Sequence, residues 1–280
     1  MRRTSAARHA SAAIGWLILL VVLLFILVGY VILHHPYRSH PATLNRQKAQ
    51  LHAIDAGLEL FDNEFKGYPP SDANDVTGTP YCGAMKLAEA TIGQDLVGCH
   101  RKSVFRADGL DPNSLAPLYT VGTFRARLGP FLAAETANAH KLVDIYGKGK
   151  TGAFPEDAVV LCDTFVRKLP SGKKVGMPIL YYRADPSGTR HDPNKPDDPQ
   201  NVYDYRDNLA LIRLGVPGDP NAVHPLANPK RFYLNTRDHM VSGTSRPYRD
   251  DSYILLSAGY DGLYGTADDI CNFDWRYREC

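Results

Sequence analysis

The sequence lacks the marks of the common catalytic and metal-binding classes. It has no GxSxG nucleophile elbow and no HExxH zinc helix. Its five cysteines, Cys82, Cys99, Cys162, Cys271 and Cys280, include no CxxC pair, which excludes a zinc ribbon and a thioredoxin-like site. It also lacks a strong charge bias. Lys and Arg total 32 against 30 Asp and Glu, for a net charge of +2, and this excludes a basic nucleic-acid-binding domain. Acids are missing from the first 13 residues, which carry Arg2, Arg3 and Arg8. The segment 147–151, GKGKT, imitates the end of a phosphate-binding loop. That motif needs a glycine where Asp144 stands, so a basic surface turn is expected.

What is present begins with an uncharged run, residues 14–33. As a helix it spans about 30 Å, the thickness of a bilayer's hydrocarbon core. A secretory signal has a shorter apolar core and a small-residue cleavage site, whereas His34, His35, Pro36 and Tyr37 follow here. The expectation is a basic leader at 1–13 and an uncleaved transmembrane helix at 14–35. With the arginines on its cytoplasmic side, the rest of the chain is exported. In that oxidising compartment a disulfide is expected, Cys82–Cys99 or Cys271–Cys280, with buried free thiols as the alternative.

Beyond Pro36, the residues Leu44, Leu51, Ile54, Leu58, Phe61 and Phe65 form an apolar stripe at helical spacing. It predicts an amphipathic helix within 36–66, with Thr43 as N-cap and Gly67 as C-cap. Residues 67–280 read as one mixed globular domain. Short helices are predicted at 83–91 and 207–214, strands at 158–166, 175–183, 231–234 and 252–257, and a long polar loop at 185–203. His191, Asp192, Asp197 and Asp198 share that loop, where a solvated surface is the reading preferred over a cation site.

The most distinctive stretch is DSYILLSAGYDGLYGTADDICNF, residues 251–273. A strand runs into a loop with Asp261, Asp268 and Asp269, punctuated by Gly259, Gly262 and Gly265. Three carboxylates so close must be solvated or neutralised. Sharp glycine turns let carbonyl oxygens converge beside them, and calcium favours such an all-oxygen shell. A solvated glycine-rich turn is the alternative. The spacing is not that of an EF-hand.

Together, the apolar N-terminal run, the segment Gln47–Pro70 ending in FKGYPP, and the segment Ser257–Asn272 resemble the pseudopilins. The nearest likeness is to the major pseudopilin of type II secretion, within the type IV pilin-like superfamily. The resemblance implies an α+β fold in which a long N-terminal helix, half transmembrane and half exported, packs on a small antiparallel sheet. Here an enlarged, loop-rich insertion covers 71–250, and a calcium-type loop follows near the C-terminus. The implied structural calcium ligands are Asp261, Asp268 and Asp269, with carbonyls of Ala258 and Leu263. Implied processing falls at Gly15-Trp16, although the fifth residue after such a cut is Leu20 where that family carries glutamate. The implied role is non-enzymatic: a structural subunit in the bacterial inner membrane with a periplasmic domain, contacting other pseudopilin or secretion-apparatus subunits or forming a homo-oligomer or filament. The alternatives are a non-assembling anchored periplasmic binding or adhesive module, and an anchored hydrolase. For the hydrolase, Asp108, Asp111, His140, Asp144 and His191 are available without a spacing that selects among them.

Overall fold

Pro41 opens a 25-residue helix, α1 (Pro41–Phe65), in a computed structural model that describes Val21, Leu23, Leu24 and residues 41–169, 171–240 and 246–278. Proline suits a first turn because its missing N–H has no helical partner there anyway. The helix therefore starts two residues before Thr43, which lies inside it rather than capping it. The apolar stripe behaves as its spacing requires. Leu51, Ile54, Leu58 and Phe61 are buried, while Leu44 and Phe65 are partly covered. Burying each of the four contributes about 1.5–3 kcal/mol. Two glutamines join them. Gln50 donates Nε2–H to the carbonyls of Thr136 at 2.8 Å and Cys162 at 2.9 Å. Gln47 Oε1 accepts from the Thr164 N–H at 2.7 Å.

The chain divides into two units, Met1–His40 and Pro41–Cys280. In the first, Val21, Leu23 and Leu24 are helical and exposed; the remainder of the expected span lies outside the described residues, as does the expected processing site Gly15-Trp16. Among the described residues no helix is long and apolar enough to cross a membrane.

The second unit is α+β, with small antiparallel sheets. A buried helix, α2 (Gly83–Ile92), packs against α1 and stops at Gly93, whose φ of 81° favours glycine. Three two-stranded ribbons follow in chain order: β1 (Cys99–His100) with β2 (Arg127–Leu128), β3 (Ala139–Lys141) with β4 (Val159–Leu161), and β5 (Arg167–Lys168) with β6 (Lys174–Val175). The central sheet has β7 (Leu180–Arg183) and β9 (Ile270–Cys271) flanking β8 (Tyr253–Ser257). Side chains alternate across it. Tyr181, Tyr253 and Leu255 join the cluster around α1, and Leu180, Tyr182, Ile254 and Leu256 join the opposite cluster with Met85, Phe232 and Tyr264. Burial on both faces explains why 253–257 is apolar without alternation.

Residues 94–128 are tied to α2 through Glu89. This buried carboxylate accepts from the hydroxyls of Tyr81 (2.7 Å), Tyr119 (2.6 Å) and Ser103, and from Gln94 Nε2 at 3.0 Å. The expected strand at 231–234 is a helix instead, Pro229–Asn235. Asn228 Oδ1 caps it by accepting from the Lys230 N–H, and Pro229 fixes its first turn, so local capping overrides the β-prone aromatic run. The segment 207–214 is shorter than expected as an α-helix: a 3-10 turn at Tyr205–Asn208 precedes Leu209–Ile212.

Candidate functional site

The C-terminal loop leaves β8 at Ser257 and returns as β9 at Ile270. Ala258 is buried at its start, and Gly259 follows with φ +64°. A Cβ on Gly259 would lie 2.2 Å from the Asp268 carbonyl oxygen, so only glycine lets the two ends of the loop close on each other. Gly262, with φ +68°, lies against the Arg167 guanidinium, whose Nη2 donates to the Tyr260 carbonyl at 3.2 Å. Tyr264 is buried and donates its hydroxyl to the Pro178 carbonyl. Trp275 Nε1–H donates to the Thr266 carbonyl at 2.8 Å.

Within this frame each of the three carboxylates accepts from N–H groups of the loop. Asp261 Oδ1 accepts from the Leu263 N–H at 2.7 Å, and Asp268 Oδ2 accepts from the Asp261 N–H at 3.0 Å. Asp269 Oδ2 accepts from the Gly265 N–H at 2.7 Å, and its Oδ1 accepts from the Thr266 N–H at 3.2 Å. Thr266 Oγ1 sits among three oxygens: Asp268 Oδ1 at 2.7 Å, Asp269 Oδ1 at 3.2 Å and the Leu263 carbonyl at 3.2 Å. One hydroxyl hydrogen cannot serve three acceptors. Burial pushes the Asp261 carboxyl above the ordinary range, helped by the nearby Asp268 charge. Burial pushes Asp269 well up too, with the charges of Asp268 and Asp261 adding to it. Negative charge is crowded here, so a proton or a cation would be held.

This donor set is all oxygen, which suits calcium's chemistry. Asp268 and the Leu263 carbonyl both face Thr266 Oγ1, and Asp261 lies beside Asp268. Asp269 spends its oxygens on loop N–H groups, so it orders the turn. Among the described residues no group of three or more His, Cys, Asp or Glu forms a ready-made metal centre, so a cation here needs backbone oxygens and water to complete its shell. Thr266, Arg167 and Trp275 were not legible as parts of this site.

The Cys82–Cys99 pair is not formed, and the alternative of buried free thiols holds there. Cys82 and Cys99 are free and buried, as is Cys162; Cys271 is free and partly covered. Cys82 lies at the start of α2, whereas the Cys99 Sγ sits 3.9 Å from the Tyr119 hydroxyl. Cys280, partner in the other expected pair, lies outside the described residues. Burial pushes the Cys82 thiol up to about 11 and raises Cys99, Cys162 and Cys271 further, so these thiols stay protonated.

The residues weighed for hydrolysis are dispersed into separate local roles. Asp108 pairs with Arg106 at 2.6 Å, and Asp144 with Lys173 at 2.5 Å. Asp111 accepts from the N–H groups of Asn113 and Ser114 at 2.9 Å each. His140 contacts Asn138 at 3.1 Å. His191 is buried 2.8 Å from Thr236 Oγ1, and burial pushes its pKa down to about 3. In the long loop, Asp192 caps the Asn194 N–H while Asp198 is held by Arg190 at 2.7 Å.

No known protein family, curated protein or solved structure matches this chain.

Proposed function

We propose that the chain is a pseudopilin-like, non-enzymatic structural subunit of a type II secretion or type IV pilus-like apparatus. It is anchored in the bacterial inner membrane by residues 14–35 and exposes its α+β domain to the periplasm. The observation that carries this reading is the C-terminal loop. Asp261, Asp268 and the Leu263 carbonyl lie close together at the end of a sheet, one face of which packs on a long helix next in sequence to the apolar run. Calcium held there is structural: it supplies the positive charge that the crowded carboxylates lack. Asp261 and Asp268 hold it, with the Leu263 and Ala258 carbonyls as further oxygens, while Asp269 and Thr266 keep the loop's shape. An extracytoplasmic site of this kind needs only modest affinity, on the order of 10⁻⁴–10⁻³ M.

Thermal melting of the detergent-solubilised full chain tests it. Calcium at about tenfold its dissociation constant adds about 1.4 kcal/mol, which raises the melting temperature by about 3–6 °C over chelator. Asp268→Asn abolishes that difference. Identical melting with calcium and with chelator would remove the loop as support for the assignment.

A further inference from the structure

A cleft of about 350 Å³ shares no residue with the C-terminal loop. Its walls come from the chain after α1, the end of β7, and the loop that runs to Asp207. At its floor lies Asp207, only 6% exposed. Ser71 Oγ–H donates to Asp207 Oδ2 at 2.5 Å, and Ser71 Oγ accepts from the Arg183 N–H at 2.9 Å. The second carboxyl oxygen, Oδ1, takes no protein donor among the described residues, and Asp207 is one of the residues that line the open space.

Among the described residues no cation is seated on that oxygen. Lys86, whose charge acts on Asp207, spends its ammonium on the carbonyls of Asp72 at 2.8 Å and Asn74 at 2.9 Å, with the Asp72 carboxylate at 3.7 Å. Arg206 is held by the Asp204 carboxylate, which accepts from Nε at 2.8 and 3.0 Å and from Nη2 at 2.7 Å. The Arg183 side chain reaches toward Gly67 at the end of α1. The lining carries Asp72, Asp185, Asp198, Asp204 and Asp207 with Arg183 and Arg206, and Arg190 and Lys86 pair with Asp198 and Asp72 from outside it. Burial, reinforced by Asp204 and Asp72, pushes the Asp207 carboxyl up to about 8, as expected of an acid kept without a counter-ion. The same walls present Pro70, Pro186, Pro196 and Pro199, a rigid apolar surface.

We propose that this cleft binds a primary ammonium on an aliphatic stem, the ammonium seated on Asp207 Oδ1 and the stem lying along the prolines. The volume falls within the range of small-ligand sites. One free oxygen suits a point donor, because a guanidinium gains most from two carboxylate oxygens and Ser71 already occupies the other. A metal ion would need several more converging oxygens than this floor supplies. The proposal stands apart from the secretion reading, since its readout does not involve the C-terminal loop.

Isothermal titration of the detergent-solubilised full chain tests it with three probes: Nα-acetyl-lysine methylamide, 1,5-diaminopentane, and the uncharged Nα-acetyl-norleucine methylamide. Saturable binding is expected for the first two and none for the third. Asp207→Asn keeps an acceptor for Ser71 and should weaken binding about tenfold or more, the loss of one charged hydrogen bond. If that variant does not fold, Asp72→Lys supplies the second test. Asp72 is 79% exposed at the rim, and a competing ammonium there should weaken binding severalfold. Tighter binding of the lysine amide points to a lysyl side chain of a partner, and tighter binding of the diamine points to a free amine; either supports the proposal. Equal binding of the norleucine amide, no binding of either amine, or an affinity unchanged by Asp207→Asn or by Asp72→Lys overturns it.

Discussion

The hydroxyl of Tyr253 donates to the Asp55 carboxylate at 2.9 Å, joining the middle of the long helix to the first residue of the central strand. The same carboxylate oxygen accepts from Asn272 Nδ2 at 3.0 Å, and Asn272 Oδ1 accepts from the Leu255 N–H at 2.9 Å. Helix, strand and the chain beyond β9 therefore meet at one acceptor. Asp55→Ala should cost about 1–3 kcal/mol, because it strands a buried hydroxyl and an amide. Asp55→Asn keeps an acceptor oxygen and should cost less. Urea denaturation of the two variants checks the order.

Asp163 predicts how stability varies with pH. Its buried carboxylate accepts from the N–H groups of Phe165 (3.2 Å) and Met177 (3.1 Å) and from Ser257 Oγ at 2.9 Å. Burial outweighs these bonds and pushes the carboxyl up to about 7. The folded chain then keeps a proton that the unfolded chain releases near its ordinary value of 3.8. The contribution is complete below that value and is lost as pH rises through about 7. The melting temperature should fall between about pH 4 and about pH 7, and Asp163→Asn should flatten part of that fall. Asp207, raised to about 8, accounts for a remaining slope of the same sign. Parallel profiles for wild type and variant would contradict this role.

Two glycines separate backbone strain from collision. Gly78 has φ +84° with nothing within 4 Å of an added Cβ, so Gly78→Ala should cost only about 1 kcal/mol. Gly259→Ala adds the same kind of strain and also drives a methyl group to 2.2 Å from the Asp268 carbonyl. It should cost clearly more, and it should abolish the calcium-dependent rise in melting temperature. Thermal melts of both variants, with calcium and with chelator, test the pair.

Export has its own test. A reporter enzyme that is active only outside the cytoplasm, fused after Cys280, should be active in cells. Deleting residues 14–33 should abolish that activity. Activity from a reporter that works only in the cytoplasm would contradict the anchored topology.

Several elements were legible because local chemistry decides them. The stripe Leu51, Ile54, Leu58 and Phe61 announces α1 by spacing alone, and Gly93 closes α2 where a C-cap is needed. Asn228-Pro229 is a helix-start signal that competes with the β-prone run Arg231–Leu234, and in the fold the cap prevails. Other features exist only after folding. Gln47 and Gln50 are buried because distant backbone groups of Thr164, Thr136 and Cys162 meet them. The acids and glycines of the C-terminal loop stood out in sequence, but Thr266 gained its position only when Leu263, Asp268 and Asp269 closed around it. The cleft over Asp207 has walls from three separated segments, so no local pattern could mark it.

The measurement that tests the structural-subunit reading most directly is photo-cross-linking from α1 in intact cells. Leu60 is a large apolar residue on this helix left 52% exposed, outside the stripe that packs on its own domain. A photoreactive amino acid at position 60, irradiated in cells and followed by mass spectrometry of the adducts, should yield chains joined to further copies or to other membrane-anchored pilin-like subunits. The same amino acid in place of the buried Ile54 should give only intramolecular products. A cross-linker at position 60 that yields only the uncoupled monomer would contradict assembly as this protein's role.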